Sequence, residues 1–301
     1  QEANGYTLRS KLFAHNTQLN AVGSKVAGIT NWMYESKAVG GMLKKALGVA
    51  PERSLPKGGR FNFEEHLKDN LAKQKEVSKR PVVLYIDEFV RYLDIQVGKD
   101  AIELLCKLGY DVELFYGESG RTYLSKGFLK QAKKLVARNM ENLKDILDAG
   151  TSIVGLEPSC LLTLRDELPL ILPGDESASL ADGALLLDEF LLREAEAGRA
   201  SLDLGPVEAP TALVHTHCHQ KALGREGATE EVLRQIFRAA AGGGQHPGAQ
   251  FAEQGDGGRP RPAGCSPAAV RSEQSLRCTR VAGRTGGSGR RCAAWRCYCQ
   301  R

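Results

Sequence analysis

From residue 81 onward, this 301-residue chain alternates short β-branched apolar runs with longer stretches of helical spacing. That alternation restricts the fold more than any other feature of the chain. "PVVLYID" (81–87) has the length and composition of a buried strand. "KDAIELLCKLG" is apolar at 101, 102, 105 and 108 and closes on Gly109, which reads as a helix with its C-terminal cap. "DVELFYG" is a second strand. From Ser125, a candidate N-cap, Phe128, Leu129, Ala132, Leu135, Val136, Leu143, Ile146 and Leu147 keep helical spacing until Gly150. "TSIVGLE" is a third strand, and a helix begins near Ser159. A further helix is expected around 177–197, then a fourth strand in "TALVHTH" and a helix over 229–238. The order predicts an α/β fold: a mostly parallel, Rossmann-like sheet with helices on both faces. Residues 7–48 and 61–77, spaced as helices around the loop "GVAPERSLPKGGR", predict a helical N-terminal segment. No apolar run is long enough to span a bilayer.

The net charge of +5 is unevenly distributed. Residues 1–237 carry 30 Lys and Arg against 33 Asp and Glu, whereas 238–301 carry 11 Arg, no Lys and three acids. The later stretch has no Ile, is rich in Gly, Ala, Pro, Ser and Arg, and holds Cys265, Cys278, Cys292, Cys297 and Cys299. So abrupt a change of composition marks a boundary. Two expectations fit it: a natural disordered Arg/Gly-rich tail, or a GC-rich gene read out of frame. The start at Gln1 reads as a cut end, with no signal-peptide pattern after it. The tail's charge would attract nucleic acid nonspecifically, but Phe251, Trp295 and Tyr298 are its only stacking residues, so no specific nucleic-acid partner is expected. Three cysteines in the first 237 residues give no disulfide framework and suit a reducing compartment.

Ligands of open parallel sheets sit at the strands' carboxyl ends. The residues there are Asp87-Glu88, Glu118-Ser119-Gly120-Arg121, Glu157-Pro158-Ser159-Cys160 and His217-Cys218-His219. Cys160 opens a helix, where the dipole lowers a thiol pKa, so it reads as a reactive group, a ligand or a packed turn residue. Arg121 and Lys126 could hold an anion near a helix start, or pair with Glu118 or Glu157. Cys106 lies on the apolar side of its helix and reads as core. His215, His217 and His219 would share one face of a strand with Cys218 opposite; a zinc site is conceivable, though the spacing is not the usual one. "CAAWRCYC" in the tail is one cluster without a partner motif.

"GYTLRSKLF", "ESGRTYLSKGFLKQAKKLVARN", "IVGLEPSCLLTLRDELPLILPGD" and "HTHCHQKALG" resemble the C-terminal region of large FAD- and iron–sulfur-containing 2-hydroxy-acid dehydrogenases. These are of the glycolate oxidase, D-lactate or D-2-hydroxyglutarate dehydrogenase type. The region is similar to the paired cysteine-rich CCG repeats shared with the B subunit of heterodisulfide reductase and the iron–sulfur subunit of anaerobic glycerol-3-phosphate dehydrogenase. The resemblance runs to about residue 236. It implies an organisation in which 1–80 is a helical entry segment after a ferredoxin-like domain. Residues 81–175 are then a first, degenerate repeat, 176–237 the start of a second, incomplete one, and 238–301 the tail.

By the same resemblance, Cys218 and Cys160 are candidate ligands of an iron–sulfur cluster of the 4Fe–4S kind, in an incomplete set. In the first repeat Asp87-Glu88 and Glu118-Ser119-Gly120 stand where cysteines are expected. Carboxylate oxygens replace thiolates poorly, so this repeat is expected to hold no cluster. In the second, the segment "GAQFAEQGDGG" holds no Cys-Cys-Gly. The implied function is the electron-transfer region of an iron–sulfur flavoprotein oxidising glycolate, D-lactate or D-2-hydroxyglutarate; the alternative is a non-catalytic docking domain of that enzyme. FAD, the flavin and ferredoxin-like domains and an electron acceptor are the implied cofactor and partners. The implied location is cytoplasmic or peripheral at the inner membrane.

Overall fold

A computed structural model describes residues 5–74, 80–204, 213–224, 227–240 and 252–253. The chain divides into two compact units, 1–190 and 191–301.

The first unit opens with the expected helices: α1 (Leu8–Ala14), α2 (Asn16–Gly23), a 3-10 turn at Ser24–Val26, α3 (Ala27–Glu35) and α4 (Lys37–Leu47). Ser36 caps α4 by accepting from the Val39 amide at 3.3 Å, and Gly48 ends it at φ 62°. After the loop, Asn62 caps α5 (Phe63–Leu71). The α/β part follows as β1 (Arg80–Ile86), α6 (Glu88–Tyr92), α7 (Ile95–Lys107), β2 (Tyr110–Tyr116), α8 (Arg121–Ser125) and α9 (Leu129–Asp148). It continues through β3 (Ser152–Gly155), α10 (Pro158–Arg165), α11 (Glu167–Ile171), α12 (Asp175–Gly183), β4 (Ala184–Leu186) and α13 (Leu187–Glu196), in which the boundary between the units falls.

The four strands form one all-parallel sheet in the order β2-β1-β3-β4. Strand β1 is central and buried on both faces, which is why its sequence is a continuous apolar run. Val82, Leu84 and Ile86 join Phe63, Leu67, Ile102, Leu105, Tyr110 and Phe190 in one core cluster. Val83 and Tyr85, of opposite parity, are buried on the other face. Gly155, at the end of β3, lets α10 approach: a Cβ there would stand 2.6 Å from Leu161 Cδ1 and 2.8 Å from its Cβ. The expected fold class is what the structure has.

Three expectations change in detail. The helix expected over 177–197 is interrupted by β4, because Ala184, Leu185 and Leu186 pair with Ile153, Val154 and Gly155 on the open edge of β3. Glu189 supports that edge, accepting from the Leu186 amide at 3.0 Å. Ser125 does not cap α9. It ends α8, its hydroxyl donates to the Thr122 carbonyl at 2.9 Å, and Gly127 at φ 79° separates the two helices.

The fourth strand of the sheet is β4 and not "TALVHTH". In that segment only β5 (Leu213–Val214) is a strand; it belongs to the second unit and pairs with β6 (Ala252–Glu253). The second unit also contains α14 (Cys218–Ala222) and α15 (Gly227–Ala240). Apart from β6 and the end of α15, the Arg/Gly-rich tail and its cysteines lie outside the described residues. Among the described residues no helix is long and apolar enough to cross a membrane.

Candidate functional site

The strand order reverses between β1 and β3, since the chain leaves β1 for β2 on one side and returns to β3 on the other. Such a switch point opens a crevice at the strands' carboxyl ends. There Asp87 caps α6, its Oδ1 accepting from the Phe89 amide at 2.8 Å and the Val90 amide at 3.1 Å. Glu88 reaches across to the end of β2, where the Ser119 amide donates to it at 2.8 Å and the Ser119 hydroxyl at 2.7 Å. Ser119 Oγ in turn accepts from the Arg121 amide at 3.1 Å. From β3, Glu157 caps α10, accepting from Ser159 N at 3.2 Å and Ser159 Oγ at 2.6 Å. One turn in, Cys160 is fully buried. A carboxylate oxygen from each of Asp87 and Glu88 and the Cys160 sulfur lie within 4.8 Å of one another.

Acid crowds acid here. Burial, then Glu88 and Glu157, push the Asp87 carboxyl well above its usual range, against the pull of the Val90 and Phe89 amides. Burial raises Glu88 as well, and the Ser119 bonds oppose it. The Cys160 thiol is driven well up by burial, then by Asp87, Glu88 and Glu157. This reverses the lowered thiol expected from a helix N-terminus: desolvation and three carboxylates outweigh the dipole. Without a cation, Cys160 is a neutral thiol and a poor nucleophile.

The structure brings Asp87, Cys160 and Glu157 together. Glu118 stays near the edge of the site, taking a bond from Gln18 at 3.4 Å, while its carbonyl accepts from Asn139 at 2.7 Å. Arg121 pairs with Glu167, neither of the acids expected for it, and Lys126 lies over the Phe13 ring at 5.5 Å. Of the two readings open for Arg121 and Lys126, an anion site or pairing with Glu118 or Glu157, Arg121 takes a pairing with another acid and Lys126 a ring contact. Cys106 is core, and burial pushes its thiol up to about 11.

In the second unit the shared strand face of His215, His217 and His219 does not form. The strand ends at Val214; His217 is the N-cap of α14, and Cys218 and His219 are its first two residues. His217 Nδ1 accepts from the His219 amide at 3.1 Å, and Gln220 closes the capping box on the His217 amide at 3.3 Å. Cys218 is exposed, His217 is buried and His219 is half-buried.

Strand order points to Glu88 and Ser119 only as neighbours of Asp87 and Glu118, and it passes over Tyr85. Tyr85 was open to inference, because residues two apart on a strand share a face and Asp87 follows β1 directly. The Glu88–Ser119 bond joins residues 31 apart and leaves no local signal.

No family model and no solved structure matches the chain. It is similar to several curated proteins. It is 30% identical over 234 residues to the C subunit of anaerobic glycerol-3-phosphate dehydrogenase of Escherichia coli, covering 76% of this chain and 58% of that protein. It is 29% identical over 212 residues to D-2-hydroxyglutarate dehydrogenase of Pseudomonas putida, covering 64% of this chain and 19% of that protein. Lactate utilization protein A of Bacillus subtilis is 27% identical over 148 residues, covering 47% of this chain and 59% of that protein. The chain therefore spans under two thirds of each of these relatives, two of which are dehydrogenases by name.

Proposed function

We propose that this chain is the electron-transfer region of a dehydrogenase that oxidises a 2-hydroxy acid or a glycerol phosphate. A flavin and ferredoxin-like part would complete the enzyme. The similarity to the glycerol-3-phosphate dehydrogenase C subunit over 76% of the chain carries the reading, and the similarity to D-2-hydroxyglutarate dehydrogenase and lactate utilization protein A supports a 2-hydroxy acid as a substrate class. The fold agrees with it in having an all-parallel sheet with a switch point between β1 and β3.

The reading implies iron–sulfur chemistry, which would carry single electrons from the flavin side to an acceptor. The first unit does not fit a cluster: beside the carboxylates of Asp87 and Glu88 stands one thiol, Cys160, where such a cluster takes thiolates. In the second unit Cys218, exposed at the start of α14, is the candidate ligand, alone among that unit's described residues. The docking-domain alternative draws its support from that same lack of sulfur at the first site.

Anaerobic purification of the full chain, with iron and acid-labile sulfide measured together, tests the choice. Matched iron and sulfide that disappear in Cys218→Ser would support the electron-transfer role. Iron and sulfide absent from the wild type would leave the docking role.

A further inference from the structure

Holding two carboxylates and a thiolate ionised together in the interior is costly unless a positive charge lies among them. Asp87, Glu88 and Cys160 are 0, 3 and 0% exposed. The charges acting most strongly on Asp87 and Cys160 are carboxylates. Two polar atoms in or beside this cluster are buried without a partner among the described residues. Asp87 uses Oδ1 on the amides of α6, while its Oδ2 is buried with no partner among the described residues. The Tyr85 hydroxyl is likewise buried and unpartnered, close enough to feel Glu88, Cys160 and Asp87. Each such atom costs about 1–3 kcal/mol if nothing satisfies it. Two of them at one cluster are atoms that a further group would satisfy.

We propose that Asp87, Glu88 and Cys160 form a binding site for a single divalent transition-metal ion of the zinc class. One thiolate and two carboxylates are a donor set zinc accepts. Magnesium and calcium prefer oxygen throughout, and a multi-iron cluster prefers sulfur. The Glu88 oxygens each accept one bond from Ser119 and keep lone pairs for a metal, while Ser119 fixes their direction. Three anionic ligands and a doubly charged ion leave one negative charge. The helix N-termini capped by Asp87 and Glu157 offset part of it. A fourth position would fall to a water, which the Tyr85 hydroxyl can bond. On binding, the ion replaces the protons of the buried acids, and burial this complete suits an ion taken up as the chain folds. The site concerns the first unit alone and stands or falls independently of the dehydrogenase reading.

The test uses the full chain produced in zinc- or cobalt-supplemented medium, as wild type, Cys160→Ser, Cys218→Ser and Asp87→Asn. Metal and acid-labile sulfide are measured in each, and absorption in the cobalt forms. The wild type is expected to hold one metal equivalent more than Cys160→Ser. Its cobalt form should show a thiolate-to-cobalt band that Cys160→Ser lacks and Cys218→Ser keeps. Asp87→Asn preserves side-chain volume and should bind at least about tenfold more weakly against a competing chelator. This arm decides the matter if Cys160→Ser does not fold. Equal metal and equal bands in the wild type and Cys160→Ser would overturn the proposal, as would unchanged affinity in Asp87→Asn. Iron lost together with acid-labile sulfide in Cys160→Ser would overturn it too, by making the site a cluster.

Discussion

Gly155→Ala puts the link between packing and site to a quantitative test. Gly155 ends β3, and the chain turns there into α10, which carries Cys160 and Leu161. An added Cβ would meet Leu161 Cδ1 at 2.6 Å, Cβ at 2.8 Å and Cγ at 3.0 Å. Carbon atoms pack favourably at about 3.5–4.0 Å, so the start of α10 must retreat by roughly 1 Å. Leu161 is fully buried and its Cβ is part of the clash, so no rotamer change relieves it. Overpacking of this kind costs about 1–3 kcal/mol. In a unit of 190 residues that corresponds to a melting temperature lower by about 2–12 °C. Gly28→Ala is the matched control, because it lies in α3 with nothing within 4 Å of an added Cβ. That variant should gain about 0.5–1 kcal/mol. Thermal and urea unfolding of both variants measure the contrast. A melting temperature for Gly155→Ala at or above that of the wild type would refute the claim that contact between β3 and α10 positions the site.

Three other changes have defined outcomes. Arg165 and Glu189 form a largely buried ion pair at 2.5 Å, their side chains 12 and 10% exposed. Arg165→Met should therefore cost about 3–5 kcal/mol in urea unfolding, and a loss below 1 kcal/mol would count against a buried pair. Cys218 is exposed whereas Cys106 and Cys160 are buried. Peptide mapping after brief alkylation of the folded chain should find Cys218 labelled and the other two labelled only in denaturant. Early labelling of Cys160 would contradict its burial.

Asp94 is raised by burial, then by Glu157, so the folded chain holds a proton there that the unfolded chain releases. Its contribution to stability is full below the ordinary carboxylate range and is lost as pH rises through the folded value. Asp94→Asn should gain stability relative to the wild type from about pH 4 upward. Its slope should be a fraction of the roughly 1.4 kcal/mol per pH unit of a fully coupled proton, because Asp94 is exposed and solvent screens the shift. A difference independent of pH would refute the assignment.

The sequence made the fold legible where segments were long and buried on both faces. "PVVLYID" and "TSIVGLE" announce β1 and β3 because a central parallel strand must be apolar on either side, whereas "DVELFYG" shows the alternation of the edge strand β2, buried at Tyr110 and Val112 and exposed at Asp111 and Glu113. Strand β4 escaped, since three residues between two helices carry no period of their own and owe their conformation to the open edge of β3. Ser125 misled because a serine before an apolar run satisfies the rule for an N-cap, while the left-handed Gly127 decided where the helix began. At the site, strand-end logic reached Asp87, Glu157 and Cys160. It could not reach the Glu88–Ser119 bond, because only the pairing of β1 with β2 creates that neighbour.

Helix capping explains part of this acid cluster and leaves a remainder. Asp87 Oδ1 and Glu157 satisfy amides at the starts of α6 and α10, and a cap is worth about 1 kcal/mol. Glu88 holds the turn after β2 through Ser119. Those roles would be met equally well with a small apolar residue at 160 and a phenylalanine at 85. Capping gives no reason to bury a thiol among carboxylates, to leave Asp87 Oδ2 without a donor, or to turn the Tyr85 hydroxyl inward. The two unpartnered oxygens cost free energy in a site that holds only protons, and there the neutral thiol gains nothing from its acidic neighbours. All three become contributions once a cation shares the space, and so they belong together.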